Sequence, residues 1–352
     1  MSGLLAHAWF GGLFADPDCA DILSPAAELA RYRKIEAAWS MAQADIGTAD
    51  PAICEQAAKH IMTCQIGDAI LRAGVVQDGV PIPAFVRALK SNAPNPIKDV
   101  LHSGLTSQDV MDTALILSLG PVFDLFRMRL EALRGGLTRL AEQNESRSLM
   151  GYTRMQAALP ITVDVRIATW LCPLGDYITK LDQIAGQMKV LQWGGPVGLR
   201  YHERAGDLGP AFAARLGVRD PGHAWHTTRA DIAELGSFIA RLTGTLGKMG
   251  QDVAMMAPLG PDDIALNSGG SSSAMPHKQN PILAELLVTI AQYTAQQATI
   301  LNVAMVHEPE RSGTAWVLKF MPLPDLLQLC GCALVKAQLL VNQIASLGSK
   351  PV

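Results

Sequence analysis

Between Thr228 and Met256 the chain reads TRADIAELGSFIARLTGTLGKMGQDVAMM, in which Ile232, Leu235, Phe238, Ile239, Leu242, Leu246, Met249, Val253 and Met256 recur at steps of three or four residues. That spacing keeps apolar side chains on one face of an α-helix, which turns once in 3.6 residues. It predicts one helix of about 28 residues, some 42 Å long at 1.5 Å per residue. Similar periods cover about residues 111–143, 158–192 and 282–306. Pro281 suits the first turn of the last, where its missing N–H would have had no partner. Pro121 lies inside the first and should kink it or mark a break. Segments that alternate with period two are scarce, and so are β-branched clusters bounded by turns. The expected fold is therefore all-α, a long central helical bundle over residues 106–345 with a smaller N-terminal helical domain over 1–105.

The composition fits a globular chain. Of 352 residues, 49% are hydrophobic and 17% charged, with a net charge of −3. Nothing in that balance offers a basic face for nucleic acid or a polybasic stretch for a membrane surface. The mean hydropathy of +0.18 prompts a search for membrane spans. The apolar stretch from Leu326 to Val335, bounded by Asp325 and Lys336, is about ten residues long against the ~20 that a span needs. The N-terminus has no basic segment ahead of its apolar residues and does not read as a signal peptide. The six cysteines (Cys19, Cys54, Cys64, Cys172, Cys330 and Cys332) form no CxxC pair and no Cys/His metal spacing. Reduced thiols in a cytoplasmic protein are expected, and no metal site. The apolar excess has to be buried in a large core or between subunits.

Two stretches break the helical reading: Gln192–Gly222 and Leu259–Pro276, the latter LGPDDIALNSGGSSSAMP. A loop of about 18 residues between long helices is often functional. Its continuation, GGSSSAMPHKQNP (Gly269–Pro281), combines hinge-capable glycines, three serines, and Lys278 and Asn280 at a helix entry. Backbone N–H groups and a helix N-terminus there can hold a carboxylate. GGSSS alone also reads as a linker, but a linker has no need of a fixed Lys and Asn. Three further clusters carry polar groups at helix ends: HSGLTSQDVMDT (His102–Thr113), GYTRMQAALP (Gly151–Pro160) and HEPERSGTAW (His307–Trp316). In isolation the first reads equally as a helix start capped by Thr106 or Ser107, the second as a turn with a solvated Arg154, and the third as surface ion pairs around Arg311.

Taken in order, the first three regions resemble the three signature regions of the fumarase/aspartase superfamily. GGSSSAMPHKQNP is similar to its GSSxMPxKxNP loop, and the resemblance runs from about residue 14 to about residue 330. Within the superfamily, PGHAWHTTRADIAEL (221–235) and the pair HSGLTSQD and AMPHKQNP are most similar to the 3-carboxymuconate cycloisomerases, with adenylosuccinate lyases next. The resemblance implies proton transfer at a carbon next to a carboxylate, no cofactor, a small tricarboxylate substrate, and a homotetramer whose active sites are shared between subunits. Residue by residue, it implies Ser272 as the loop base, with Ser271 in the place of a family glycine. Lys278 and His102 join it as catalytic groups, together with Arg154, which stands where lyases acting on succinyl adducts carry a histidine. Ser103, Thr106, Ser107, Thr153, Gln156, His226, Met275, Asn280 and Arg311 are implied as substrate contacts. Superfamily members often have a third, C-terminal helical domain; here it is expected to be shortened or absent.

Overall fold

A computed structural model describes residues 5, 7–275 and 278–350; Pro276 of the signature loop lies outside the described residues. The N-terminal helices are α1 (Gly11–Phe14), α2 (Pro17–Ile22), α3 (Pro25–Asp45), α4 (Pro51–Thr63), α5 (Asp68–Asp78), α6 (Ile82–Ser91) and α7 (Asn95–Lys98). Three of them start by one device. Asp16, Ser24 and Asp50 accept a hydrogen bond from the first helical turn, and a proline follows each as the first helical residue. A side-chain oxygen there satisfies an N–H that the helix leaves free, and proline gives up none that is needed.

The bundle is built from α8 (Ser107–Gln143), α9 (Val163–Met188), α11 (Ala230–Met256), α12 (Ile282–Val303) and α14 (Pro322–Gln343), with shorter α10 (Ala205–Leu216) and α13 (Thr314–Leu318) beside them. The α11 stripe read from the sequence is buried along its whole length, from Ile232 to Met256. Its glycines set how closely α12 packs. A Cβ on Gly236, Gly247 or Gly250 would come within 2.6 Å, 2.5 Å and 2.5 Å of Leu301, Ala291 and Ala284, so α11 and α12 touch almost backbone to backbone. Those three contacts also fix the pair as antiparallel. One core joins these long helices, whereas Tyr32, Ile35, Trp39, Phe85 and Leu101 centre a second one. The second core also takes in Val110, Ala114 and, from the Gln192–Gly222 stretch, Trp193, Leu208 and Phe212, so it draws on both sides of residue 105.

Some expectations need correction. α8 runs through Pro121 without a break. The helix expected from about residue 158 starts at Val163, because Ser148–Thr153 (β1) and Gln156–Thr162 (β2) pair as an antiparallel hairpin. The Leu259–Pro276 stretch is not structureless. Ile264–Leu266 (β3) pairs with Ile344–Leu347 (β6), and Gly270–Ser271 (β4) with Gln279–Asn280 (β5). These small ladders leave the chain a helical bundle. The apolar run at the C-terminal end is also longer than it reads: Thr314–Gln343 is long and apolar enough to cross a membrane, yet 61% of its most apolar window is buried inside the fold. Most of that run is α14, whose buried face packs into the core of the bundle. All six cysteines are unpaired.

Candidate active site

The expected site residues fall at two ends of the bundle. At the first end, Thr106 caps α8, and its N–H donates to Asp109 Oδ2 (3.0 Å) in a capping box. Arg311 donates to the Thr106 hydroxyl, which brings the fourth cluster onto the first in a single chain. Ser107 is the first residue of α8. His102, in a left-handed conformation (φ 54°), places Nδ1 2.6 Å from Glu36 Oε1. Ser103 accepts from Trp39 Nε1 (3.3 Å) and donates to Gln43 Oε1 (3.0 Å).

His226, expected as a substrate contact, is paired inside the fold. It is buried, and its Nε2 lies 2.8 Å from Asp109 Oδ1. Asp109 also accepts from the N–H groups of Gly194 and Gly195, at 2.9 Å each. It thus ties the helix cap, the QWGG turn and the entry to α11 together. Burial pushes the Asp109 carboxyl up, while His226 and the backbone donors work against that rise. One turn further along α8, Asp112 holds Arg229, Lys319 and the Trp316 indole N–H. Burial works against the Asp112 charge, yet Arg229 and Lys319 outweigh it and hold the group well below the usual carboxylate range. Burial, partly offset by Asp112, pulls Lys319 down to about 8. Trp316 lies in α13, which starts three residues after Arg311, and Lys319 caps its end, so Asp112 anchors the segment that carries Arg311.

At the second end, Arg154 and Met155 form the two-residue tip of the β1–β2 hairpin, between the paired residues Thr153 and Gln156. Both tip residues have positive φ (48° and 67°), a conformation that usually falls to Asn or Gly. Thr153, Arg154 and Gln156 are exposed, and a groove of about 770 Å³ lies between this hairpin, α9 and the end of α11, lined by Arg154, Met155, Arg166, Lys248, Met255 and Leu259. The serine loop begins α12. The Ser272 hydroxyl accepts from the N–H groups of Ala274 (3.3 Å) and Met275 (3.1 Å), and among the described residues neither Ser271 nor Ser273 has a side-chain hydrogen bond. Met275 and Lys278 are exposed, and Asn280 pairs with Gly270 across β4 and β5.

The 27 residues of α11 separate the two ends, a distance of about 40 Å at 1.5 Å per residue. In a single chain the expected site residues therefore fall into two separate groups rather than one closed constellation. Sequence reasoning missed Glu36, Asp112, Arg229 and Lys319. The signal for Glu36 was a carboxylate four residues after Tyr32 and three before Trp39, within the apolar face of α3. Among the described residues no group of three or more His, Cys, Asp or Glu side chains is arranged to hold a metal.

A family of lyases matches residues 34–294. Trans-aconitate decarboxylase 1 of Mycosarcoma maydis is 28% identical over 337 residues, 94% of this chain and 68% of that protein. Nitrosuccinate lyase of Streptomyces davaonensis is 32% identical over 327 residues, 88% of this chain and 69% of that one. The 3-carboxy-cis,cis-muconate cycloisomerase of Pseudomonas putida is 30% identical over 353 residues, 97% and 82%. The crystal structure of a 3-carboxy-cis,cis-muconate lactonizing enzyme from Pseudomonas putida superposes with a TM-score of 0.88 at 28% identity, over 97% of this chain and 77% of that one. Fold and matches together define an enzyme of the helical-bundle lyase class. More particularly, the chain belongs to the fumarase/aspartase superfamily.

Proposed function

We propose that the chain is a 3-carboxy-cis,cis-muconate cycloisomerase, interconverting 3-carboxymuconate and its lactone in protocatechuate (β-ketoadipate) catabolism. The observation that carries this reading is the Ser272 hydroxyl, which two N–H groups of its own loop address. A serine hydroxyl is a poor base at neutral pH, and backbone donors aimed at its oxygen stabilise the alkoxide. In the lactone-opening direction Ser272 Oγ takes the proton from the carbon next to a carboxylate. The electron pair passes through an enediolate and expels the ring oxygen as a carboxylate. Lactonisation is the reverse, with the proton returned to carbon. Lys278, Asn280, Arg311 and the Arg154 tip supply positive charge and donors for a trianion. Arg154 stays protonated and cannot act as a neutral base, which argues against an adenylosuccinate-type lyase.

The reading includes a homotetramer in which one subunit's Thr106/Arg311 end meets the hairpin and serine loop of others. It also includes an N-terminal helical domain (1–105), a bundle domain (106–345) and a cytoplasmic setting, which suits six unpaired thiols. A second reading keeps the same proton transfer on another small polycarboxylate. It is favoured by the similarity to the decarboxylase and the nitrosuccinate lyase.

Ultraviolet absorbance of purified protein with 3-carboxymuconate, trans-aconitate, nitrosuccinate and adenylosuccinate tests these readings. We expect kcat/KM of at least about 10⁴ M⁻¹s⁻¹ for 3-carboxymuconate and values at least about 100-fold lower for the others. A higher value for any of the other three would replace the cycloisomerase reading.

A further inference from the structure

We infer that Glu36, on α3 of the N-terminal helices, is a positioning residue that fixes the ring of His102 for the reaction. This rests on the proposed cycloisomerase reading with His102 as a catalytic group beside Ser272, the role that the resemblance implies for it. The α3 helix turns an unusual face inward: Glu36, Trp39, Ser40 and Gln43 are all buried, at positions one helical surface apart. Trp39 and Gln43 grip Ser103, and Glu36 meets His102, so α3 holds the turn Leu101–Gly104 by side-chain bonds as well as by packing. Burying a carboxylate is costly without a partner. Glu36 is fully buried, its Oε1 is spent on His102 Nδ1 at 2.6 Å, and its Oε2 has no partner among the described residues. A stabilising role alone would be better filled by an uncharged side chain.

The imidazole is the opposite case. Its side chain keeps 16% of its surface exposed, and Nε2 has no protein partner among the described residues. A proton on Nδ1 that is donated to Glu36 leaves Nε2 as the free ring nitrogen. The partner of one ring nitrogen decides the state of the other, as in any carboxylate–histidine pair. His102 is held in a left-handed conformation as well (φ 54°), which costs energy for a residue with a side chain. The Glu36 bond offsets part of that cost and sets the ring's direction at the same time. Glu36 does not touch substrate in this account; it acts through His102.

The test combines kinetics with ring-nitrogen spectroscopy on the full-length protein. Glu36→Gln keeps the volume and a hydrogen-bonding oxygen while removing the charge. It should lower kcat by about 10²-fold or more, the range for acid–base groups, with KM within about threefold. His102→Ala should lose a similar factor. The double variant should be no worse than the poorer single one, because the first change already removes what the second acts through. Nitrogen NMR of protein labelled at histidine should show His102 protonated on Nδ1 in the wild type and altered in Glu36→Gln. Additive losses in the double variant, or a His102 signal unchanged by Glu36→Gln, overturn the inference. If the wild type fails to turn over 3-carboxymuconate, the substrate reading falls. The nitrogen spectra then decide the Glu36 assignment alone, read in Glu36→Leu, which offers His102 no acceptor: loss of the Nδ1 proton there sustains it, and retention overturns it.

Discussion

Ser272 is separated from its neighbours by hydrogen bonding rather than by composition. Three adjacent serines share one loop, but only the middle hydroxyl takes two backbone N–H groups among the described residues. Ser272→Ala should lower kcat at least about 10²-fold with KM nearly unchanged, since proton transfer is gained only in the transition state. Ser271→Ala and Ser273→Ala should stay near wild-type kcat, and Lys278→Ala should raise KM as well. Steady-state kinetics of the four variants checks this; a fully active Ser272→Ala sinks the serine-base mechanism. The spacing that singles out Ser272, its distance from Met275 and Lys278, was legible in the sequence. Its N–H partners were not, because they depend on how the loop folds back. His226 shows the limit more sharply. The motif around it is legible, but its commitment to Asp109, 117 residues away, arises from long-range packing.

Among the elements, α8 carries two carboxylates one turn apart that hold different parts of the first half-site. Asp112 faces two buried cations, and removing its charge leaves both without compensation. Asp112→Asn should cost about 3–5 kcal/mol in urea unfolding, as for other broken buried pairs. Its lowered folded-state pKa gives the sign of the pH dependence. The contribution is complete above the ordinary carboxylate value of 3.8 and is lost as pH falls below it, so the variant should show a shallower acid limb. A variant as stable as wild type, with the same acid limb, contradicts the cluster's role. The β1–β2 tip makes the reverse prediction. Met155 is 71% exposed at φ 67°, so glycine there loses little packing and relieves left-handed strain. Met155→Gly should gain about 0.5–1 kcal/mol in the same assay, net of glycine's entropy; a loss would show that Met155 packs against something a single chain does not contain. The long helices were legible because the 3.6 period persists for seven turns in α11. The hairpin was not, since GYTRMQAALP alternates poorly and its pairing is set by a two-residue turn without Asn or Gly.

For the whole molecule, the α11 and α12 contacts force the division. The two helices run antiparallel, so the Thr106/Arg311 end and the Ser272 end lie about 40 Å apart. Chemistry that needs both must bring different copies together, and the exposed apolar residues Met150, Leu159, Val165, Val303 and Val306 give such copies surface to bury. The central claim is that one working site is completed by several chains. It is tested most directly by co-refolding two inactive variants, Arg311→Ala and Ser272→Ala, in equal amounts, and measuring activity against each variant refolded alone. Random assembly pairs an intact first half-site with an intact serine loop in about a quarter of sites, so recovery of about 25% of wild-type activity is expected. Activity no greater than the sum of the separate variants, or a fully active monomer in light scattering at micromolar concentration, would contradict the shared site.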